Sequence, residues 1–217
     1  NEDANELGKN LGIELESISI EEIVKAYDST LDPLFKDSKK DITEENIQSR
    51  ARGSLLMAYS NKFGHMVLTN GNKSEVSVGY STLYGDMCGA LSLIGDLYKS
   101  EVYQLAHFIN QEYTLIPESS LTKAPSAELR PNQKDTDNLP DYDKLDLFLE
   151  GFLERHEDLE TLSRKSKLPQ KSLIELINKI ERVEFKRKQA SPIIKLSQKA
   201  FGIGRQVPIL STFQLPD

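Results

Sequence analysis

The sequence holds one cysteine, Cys88, no tryptophan and only three histidines in 217 residues. A lone cysteine can form no intrachain disulfide and no cysteine metal cluster, which fits a reducing compartment. His65, His107 and His156 are scattered, with no metal-ligand spacing and no triad arrangement around Cys88. No apolar run approaches the roughly 18 residues of a membrane-crossing helix, and no charged start leads into an apolar core as in a signal peptide. The expectation is a cytoplasmic protein without a membrane partner. Positive charge is also scarce: 27 Lys and Arg against 34 Asp and Glu leave −7, which argues against nucleic acid as a partner. There is no Walker loop. Gly202-Ile203-Gly204-Arg205 lacks the third glycine and the preceding strand of a dinucleotide fingerprint.

What is present suits one domain with a helical appendage: 38% hydrophobic and 28% charged residues are ordinary for a globular chain able to bury a core. The charges are segregated. Acids crowd the first 22 residues, whereas Lys186, Arg187, Lys188, Lys195, Lys199 and Arg205 form a basic stretch with no acid among them, suggesting local phosphate binding.

Periodicity predicts a helix over residues 3–11, closed by Gly12, and strand-like alternation from Ile13 to Ile20. Ser19 precedes a second helix ending near Pro33. Asp41 or Thr43 caps a long third helix to about Lys62, with Ile47, Ala51, Leu55 and Ala58 as its buried stripe and Arg50 and Arg52 on its flanks. Met66 to Leu68 reads as a buried strand that breaks at the polar turn Thr69-Asn70-Gly71-Asn72. Loops at such strand ends carry the ligands of open α/β sheets. Lys99 opens a helix with Val102, Leu105, Ala106 and Ile109 on one face. A lysine in a first turn is electrostatically unfavourable, and a bound anion would explain it. Pro117, Pro125, Pro131 and Pro140 mark 117–141 as a long loop. Leu145, Phe148, Leu149 and Phe152 mark a further helix, Leu168-Pro169 starts another with the stripe Leu173, Leu176, Ile177 and Ile180, and residues 191–217 read as an extended arm.

Asn72-Lys73-Ser74-Glu75 followed by Gly79-Tyr80-Ser81-Thr82-Leu83-Tyr84-Gly85-Asp86 resembles the core signature of the NAD synthetase family. Glu45 to Arg52, Tyr98-Lys99, Pro125 to Gln133 and Glu184 to Gln189 agree with it in order, the last two with the glutamine-dependent branch. The resemblance runs from about residue 1 to about residue 208. It implies an α/β, Rossmann-like domain of the adenine-nucleotide hydrolase (ATP pyrophosphatase) type: an α/β part over 1–116, the proline-rich loop 117–141, and a helix-rich region with an arm over 142–217. It implies a ligase that adenylates the carboxylate of deamido-NAD with ATP and Mg²⁺ and then amidates it with ammonia from a glutaminase domain, in a homodimer. Carried over by position, Arg50, Phe185 and Lys186 would contact deamido-NAD, Asn70, Lys99 and Ser126 would contact ATP, and Glu75 would bind the metal. Asn70 stands where the family has Ser or Thr. No catalytic residue is assigned.

The Ser-Gly-Gly-x-Asp-Ser loop with which that family grips pyrophosphate does not occur in residues 1–217. The chain therefore reads as the later, incomplete part of a synthetase domain, expected to make no NAD alone. Alternative readings are a non-catalytic dinucleotide-binding or oligomerisation fragment and an ATP pyrophosphatase that amidates another carboxylate.

Overall fold

Helices carry most of the backbone in the computed structural model, which describes residues 2–209. Helix α1, Glu2–Leu11, stops at Gly12, whose φ of 65° is left-handed. The strand expected over Ile13 to Ile20 is not formed. This segment is irregular, with Ile13, Leu15 and Ile18 all exposed, and its alternation serves a different contact. Leu15 folds back onto Gly8, where a Cβ would lie 2.5 Å from its Cδ1.

Helix α2, Glu21–Phe35, runs past Pro33. A proline so near the helix end removes only one late hydrogen bond. Helix α3, Ile42–Phe63, opens with a capping box between Asp41 and Glu44 and closes on Gly64 at φ 70°. Its stripe is buried only in the first half: Ile47 and Ala51 are covered, Leu55 partly, Ala58 not. At Gly53 a Cβ would sit 2.9 Å from the Gly85 carbonyl, so the small residue lets α3 approach the 82–86 turn.

Strands β1, Leu68–Thr69, and β2, Leu91–Ser92, pair in parallel, Leu68 opposite Leu91 and Thr69 opposite Ser92. The expected buried strand is thus shorter and shifted, and Met66 and Leu68 are exposed. Between the strands lies an unforeseen helix, α4, Lys73–Val78. Asn72 accepts from the Glu75 N–H while the Glu75 carboxylate accepts from the Asn72 N–H, and Gly79 closes the helix at φ 68°. Helix α5, Lys99–Glu112, follows as expected, with Leu105 exposed. The proline-rich loop contains a short helix, α6, Glu118–Thr122, and one 3-10 turn, Asp135–Asp137.

The main core belongs to the C-terminal helices. Helix α7, Tyr142–Glu150, continues as a π-type turn, Gly151–Arg155, and packs against α8, Leu159–Ser166, and α9, Gln170–Arg182, with α10, Glu184–Arg187, beyond. Leu145, Phe148 and Leu149 meet Leu162, Leu173, Leu176, Ile177 and Ile180, the expected stripe of α9, and Val78 joins them from α4. Helix α4 is thereby wedged between the small sheet and the helical core. Residues 210–217 of the anticipated arm lie outside the described residues; its earlier part, from Ser191, runs alongside β2, with Ile193 forming a parallel bridge to Ser92.

One charge centre joins these parts. Lys73 has no exposed surface, and its ammonium pairs with Asp96 at 3.0 Å and Glu154 at 2.8 Å and donates to the Ser197 hydroxyl at 2.7 Å. Tyr98 donates to Glu154 at 2.9 Å and places its ring 4.8 Å from the same ammonium. Asp96 also accepts from the N–H groups of Leu196 and Ser197. Burial works to raise the Asp96 carboxyl, but these bonds outweigh it and hold the pKa below its ordinary value. Removing one member of such a centre strands the others. Lys73→Met is expected to lower stability by about 3 to 5 kcal/mol, read from urea unfolding. A loss within about 0.5 kcal/mol would show that the centre is dispensable.

Candidate functional site

A cleft of about 610 Å³ opens between α3, the start of α4, the 79–86 turns and the 126–135 segment. Of the seven residues singled out from the sequence, Asn70, Glu75, Lys99, Ser126 and Lys186 line it. Arg50 and Phe185 do not. Arg50 is exposed and donates from Nε to the Leu83 carbonyl at 3.2 Å, supporting the 82–86 turn from outside, and Phe185 is exposed on α10.

Glu75 is fixed by the capping box of α4. One carboxylate oxygen accepts from the Asn72 N–H at 3.2 Å, and the other lies 3.3 Å from the Lys99 ammonium. Burial pushes its pKa above the ordinary value, with the Lys99 charge and the Asn72 bonds pulling against it. The alignment of Lys99 with Glu75 depends on Ser74 and Asp146. The Ser74 hydroxyl accepts from the Lys99 N–H at 2.8 Å and donates to Asp146, whose other oxygen accepts from the Ser100 N–H at 2.8 Å. The first N–H groups of α5 are therefore satisfied within the protein. Lys99 itself stands beside Glu75 at the mouth of this arrangement.

Lys186 reaches the cleft from α10 and donates to the carbonyls of Gly79 at 2.9 Å and Ser81 at 2.7 Å. Desolvation lowers its pKa, and the charge of Asp86 raises it in part. Ser126 accepts from the Glu128 N–H at 3.0 Å, and Asn70 is exposed at the mouth. The wider basic stretch divides. Arg187 is buried and donates to the last carbonyls of α4, 2.8 Å from that of Ser77, and to Glu184, while Arg205 pairs with Glu181 at 2.6 Å. Those two arginines make internal contacts that hold the fold.

Sequence reading missed Lys73, Ser74 and Asp146 as positioning groups, and Asp135 and Tyr80 as part of the cleft wall. The Asn72-x-x-Glu75 spacing is a capping-box signal and could have revealed α4. Asp146, one of three acids in α7 with Asp143 and Glu150, carried no signal that set it apart.

Among the described residues, no group of three His, Cys, Asp or Glu is placed to hold a metal ion. No helix is long and apolar enough to cross a membrane.

Lys99→Met removes the charge that opposes desolvation at Glu75. The Glu75 pKa is expected to rise further, followed by carboxyl carbon chemical shifts in a pH titration. An unchanged or lower value would mean that the ion pair does not form.

A model of the NAD synthase family matches residues 1–190. A glutamine-dependent NAD(+) synthetase of Synechocystis is 47% identical over 212 residues, 98% of this chain and 38% of that protein. The solved glutamine-dependent NAD+ synthetase of Acinetobacter baumannii, in complex with ADP, aligns at 38% identity and a TM-score of 0.56 over 100% of this chain and 39% of its own. The NMN synthetase of Francisella tularensis aligns at 27% identity and a TM-score of 0.70, over 90% of this chain and 71% of its own. The chain thus spans about two fifths of the length of its curated relatives.

Proposed function

The chain belongs to the NAD synthase family, and we propose that it supplies the Glu75 and Lys99 side of an ATP-dependent ligase site that amidates deamido-NAD to NAD. The observation that carries this reading is the convergence of Asn70, Glu75, Lys99, Ser126 and Lys186 on one cleft from segments far apart in the chain. Its architecture is that of the α/β adenine-nucleotide hydrolase-like fold, a small parallel sheet flanked by helices.

In this reading the deamido-NAD carboxylate attacks the α-phosphorus of ATP, pyrophosphate leaves, and ammonia then displaces AMP from the adenylate. The residues of this chain align and neutralise. Lys99 and Lys186 set positive charge beside the phosphates, and the Asn70 amide and Ser126 hydroxyl offer hydrogen bonds to the nucleotide. Arg50, outside the cleft wall, meets deamido-NAD where the dinucleotide leaves the cleft beside the 82–86 turn, with Phe185 as an exposed apolar surface. Glu75 suits Mg²⁺ in the mode of one carboxylate plus nucleotide phosphates and waters, since each of its oxygens makes a single hydrogen bond and keeps a lone pair. When bound, that ion neutralises phosphate charge. The protein acts in the cytoplasm as a homodimer, with ammonia drawn from a glutaminase domain.

The Francisella alignment favours a second reading, a mononucleotide substrate in place of the dinucleotide. The higher identity to NAD synthetases ranks it second. Calorimetry with both acids on the full-length protein separates the two: tighter mononucleotide binding would reverse the order.

Glu75→Gln is nearly isosteric, and it is expected to abolish the Mg²⁺-dependent part of ATP binding while the fold persists. In the parent, that binding should fall away as pH drops, beginning above the ordinary glutamate pKa because the Glu75 value is raised. Mg²⁺ dependence unchanged in the variant would remove the metal role. Arg50→Ala is expected to weaken deamido-NAD about 10- to 100-fold, the loss of a charged hydrogen bond. Equal affinities by calorimetry would remove that contact.

A further inference from the structure

Among the described residues, three cationic side chains line the cleft: Arg52, Lys99 and Lys186. Two are already engaged, Lys99 by Glu75 and Lys186 by the carbonyls of Gly79 and Ser81. The half-buried Arg52 makes no hydrogen bond or ion pair to any described residue. The acids of the wall are taken elsewhere. Glu45 pairs with Arg130, Glu75 with Lys99, Asp86 accepts from the Ser49 hydroxyl and the Thr82 N–H, and Asp135 accepts from Tyr142. A guanidinium whose donors are all unused, in a partly desolvated wall, is a planar fork that fits a phosphate or a carboxylate.

Helix geometry decides which substrate it meets. At about 100° per residue, Arg50 and Arg52 stand on opposite flanks of α3. Arg50 serves the 82–86 turn through the Leu83 carbonyl. Burial first, and the charges of Lys179 and Arg50 after it, lower the Lys186 pKa, so Arg50 stands on the Lys186 side. Arg52 instead continues the flank of Gln48 and Glu45, one and two turns before it. Gln48 donates to the Leu129 carbonyl at 3.1 Å, and Glu45 accepts from Gln133 at 3.2 Å and meets Arg130 at 3.5 Å. That flank therefore carries the segment that brings Ser126 to the cleft. The two arginines are divided between two sides of the site, Arg50 with Lys186 and Arg52 with the 126–133 segment.

We propose that Arg52 is a further binding residue of the cleft, its guanidinium forked on a phosphate of ATP on the Ser126 side, while Arg50 serves the dinucleotide. This rests on the reading of the cleft as an ATP-dependent amidating site.

Calorimetry on the full-length protein, with Mg²⁺-ATP and deamido-NAD titrated separately, tests it alongside thermal unfolding. Arg52→Gln is expected to weaken Mg²⁺-ATP about 10- to 100-fold, with deamido-NAD affinity and melting temperature unchanged. Arg52→Lys is expected to recover only part of the loss, because an ammonium does not make two parallel bonds to one phosphate. Equal ATP affinity in Arg52→Gln and parent overturns the proposal, as does deamido-NAD weakened in place of ATP. Loss of both nucleotides with a lowered melting temperature would make Arg52 a structural residue and overturn it too. A parent that binds ATP but does not amidate deamido-NAD would count against the amidation reading alone, with the ATP comparison still deciding Arg52. If Arg52→Gln does not fold, Arg52→Lys carries the test: about 3- to 10-fold weaker ATP binding is expected, and no weakening overturns the contact.

Discussion

A lysine ammonium with no exposed surface is tolerable only if it is fully paired, and at Lys73 the pairing draws on three separate parts of the chain. Asp96 comes from the turn before α5, Glu154 from the π-type turn after α7, and Ser197 from the stretch that follows the pairing of Ile193 with β2. Each would face a stranded charge or an unmet bond without the others. Two residues along α4 stands Glu75, facing the cleft. The same short helix therefore anchors the fold with one side chain and presents the site with another, and the strength of the anchor sets the orientation of the acid.

A second, smaller link transmits this order to α5. Through Ser74 and Asp146 the first N–H groups of α5 are tied to α4 and α7, which brings Lys99 to Glu75. The pair is partly exposed and its Coulomb attraction alone is worth little. Its geometry is imposed by the buried bonds behind it.

The helices with apolar periodicity were legible in the sequence, and α5, α7 and α9 stand where the spacing puts them, while α3 stands where its Asp41 cap and Gly64 stop put it. Residues 13–20 were misread because alternation reports two faces, and says nothing about whether a neighbouring strand exists. Helix α4 was missed because its six residues are too few for a period, although its cap carried the signal. The site divided in the same way. Glu75, Lys99, Asn70, Ser126 and Lys186 share a cleft because motif order places them at the ends of elements, where loops converge. Arg50 and Phe185 belong to the same motifs but face outward. Lys73 looked like an ordinary polar residue within a motif, since burial of a charge depends on partners remote in sequence.

In the proposed function, one cleft, braced by Lys73 and flanked by Glu75 and Lys99, receives the nucleotides. Amide hydrogen exchange of the full-length protein with and without Mg²⁺-ATP and deamido-NAD tests it directly. Slowed exchange is expected across residues 70–75, 79–86 and 126–135. Unchanged exchange there, with protection instead along the outer groove between α5 and α7 near Gln104 and Glu150, would contradict it.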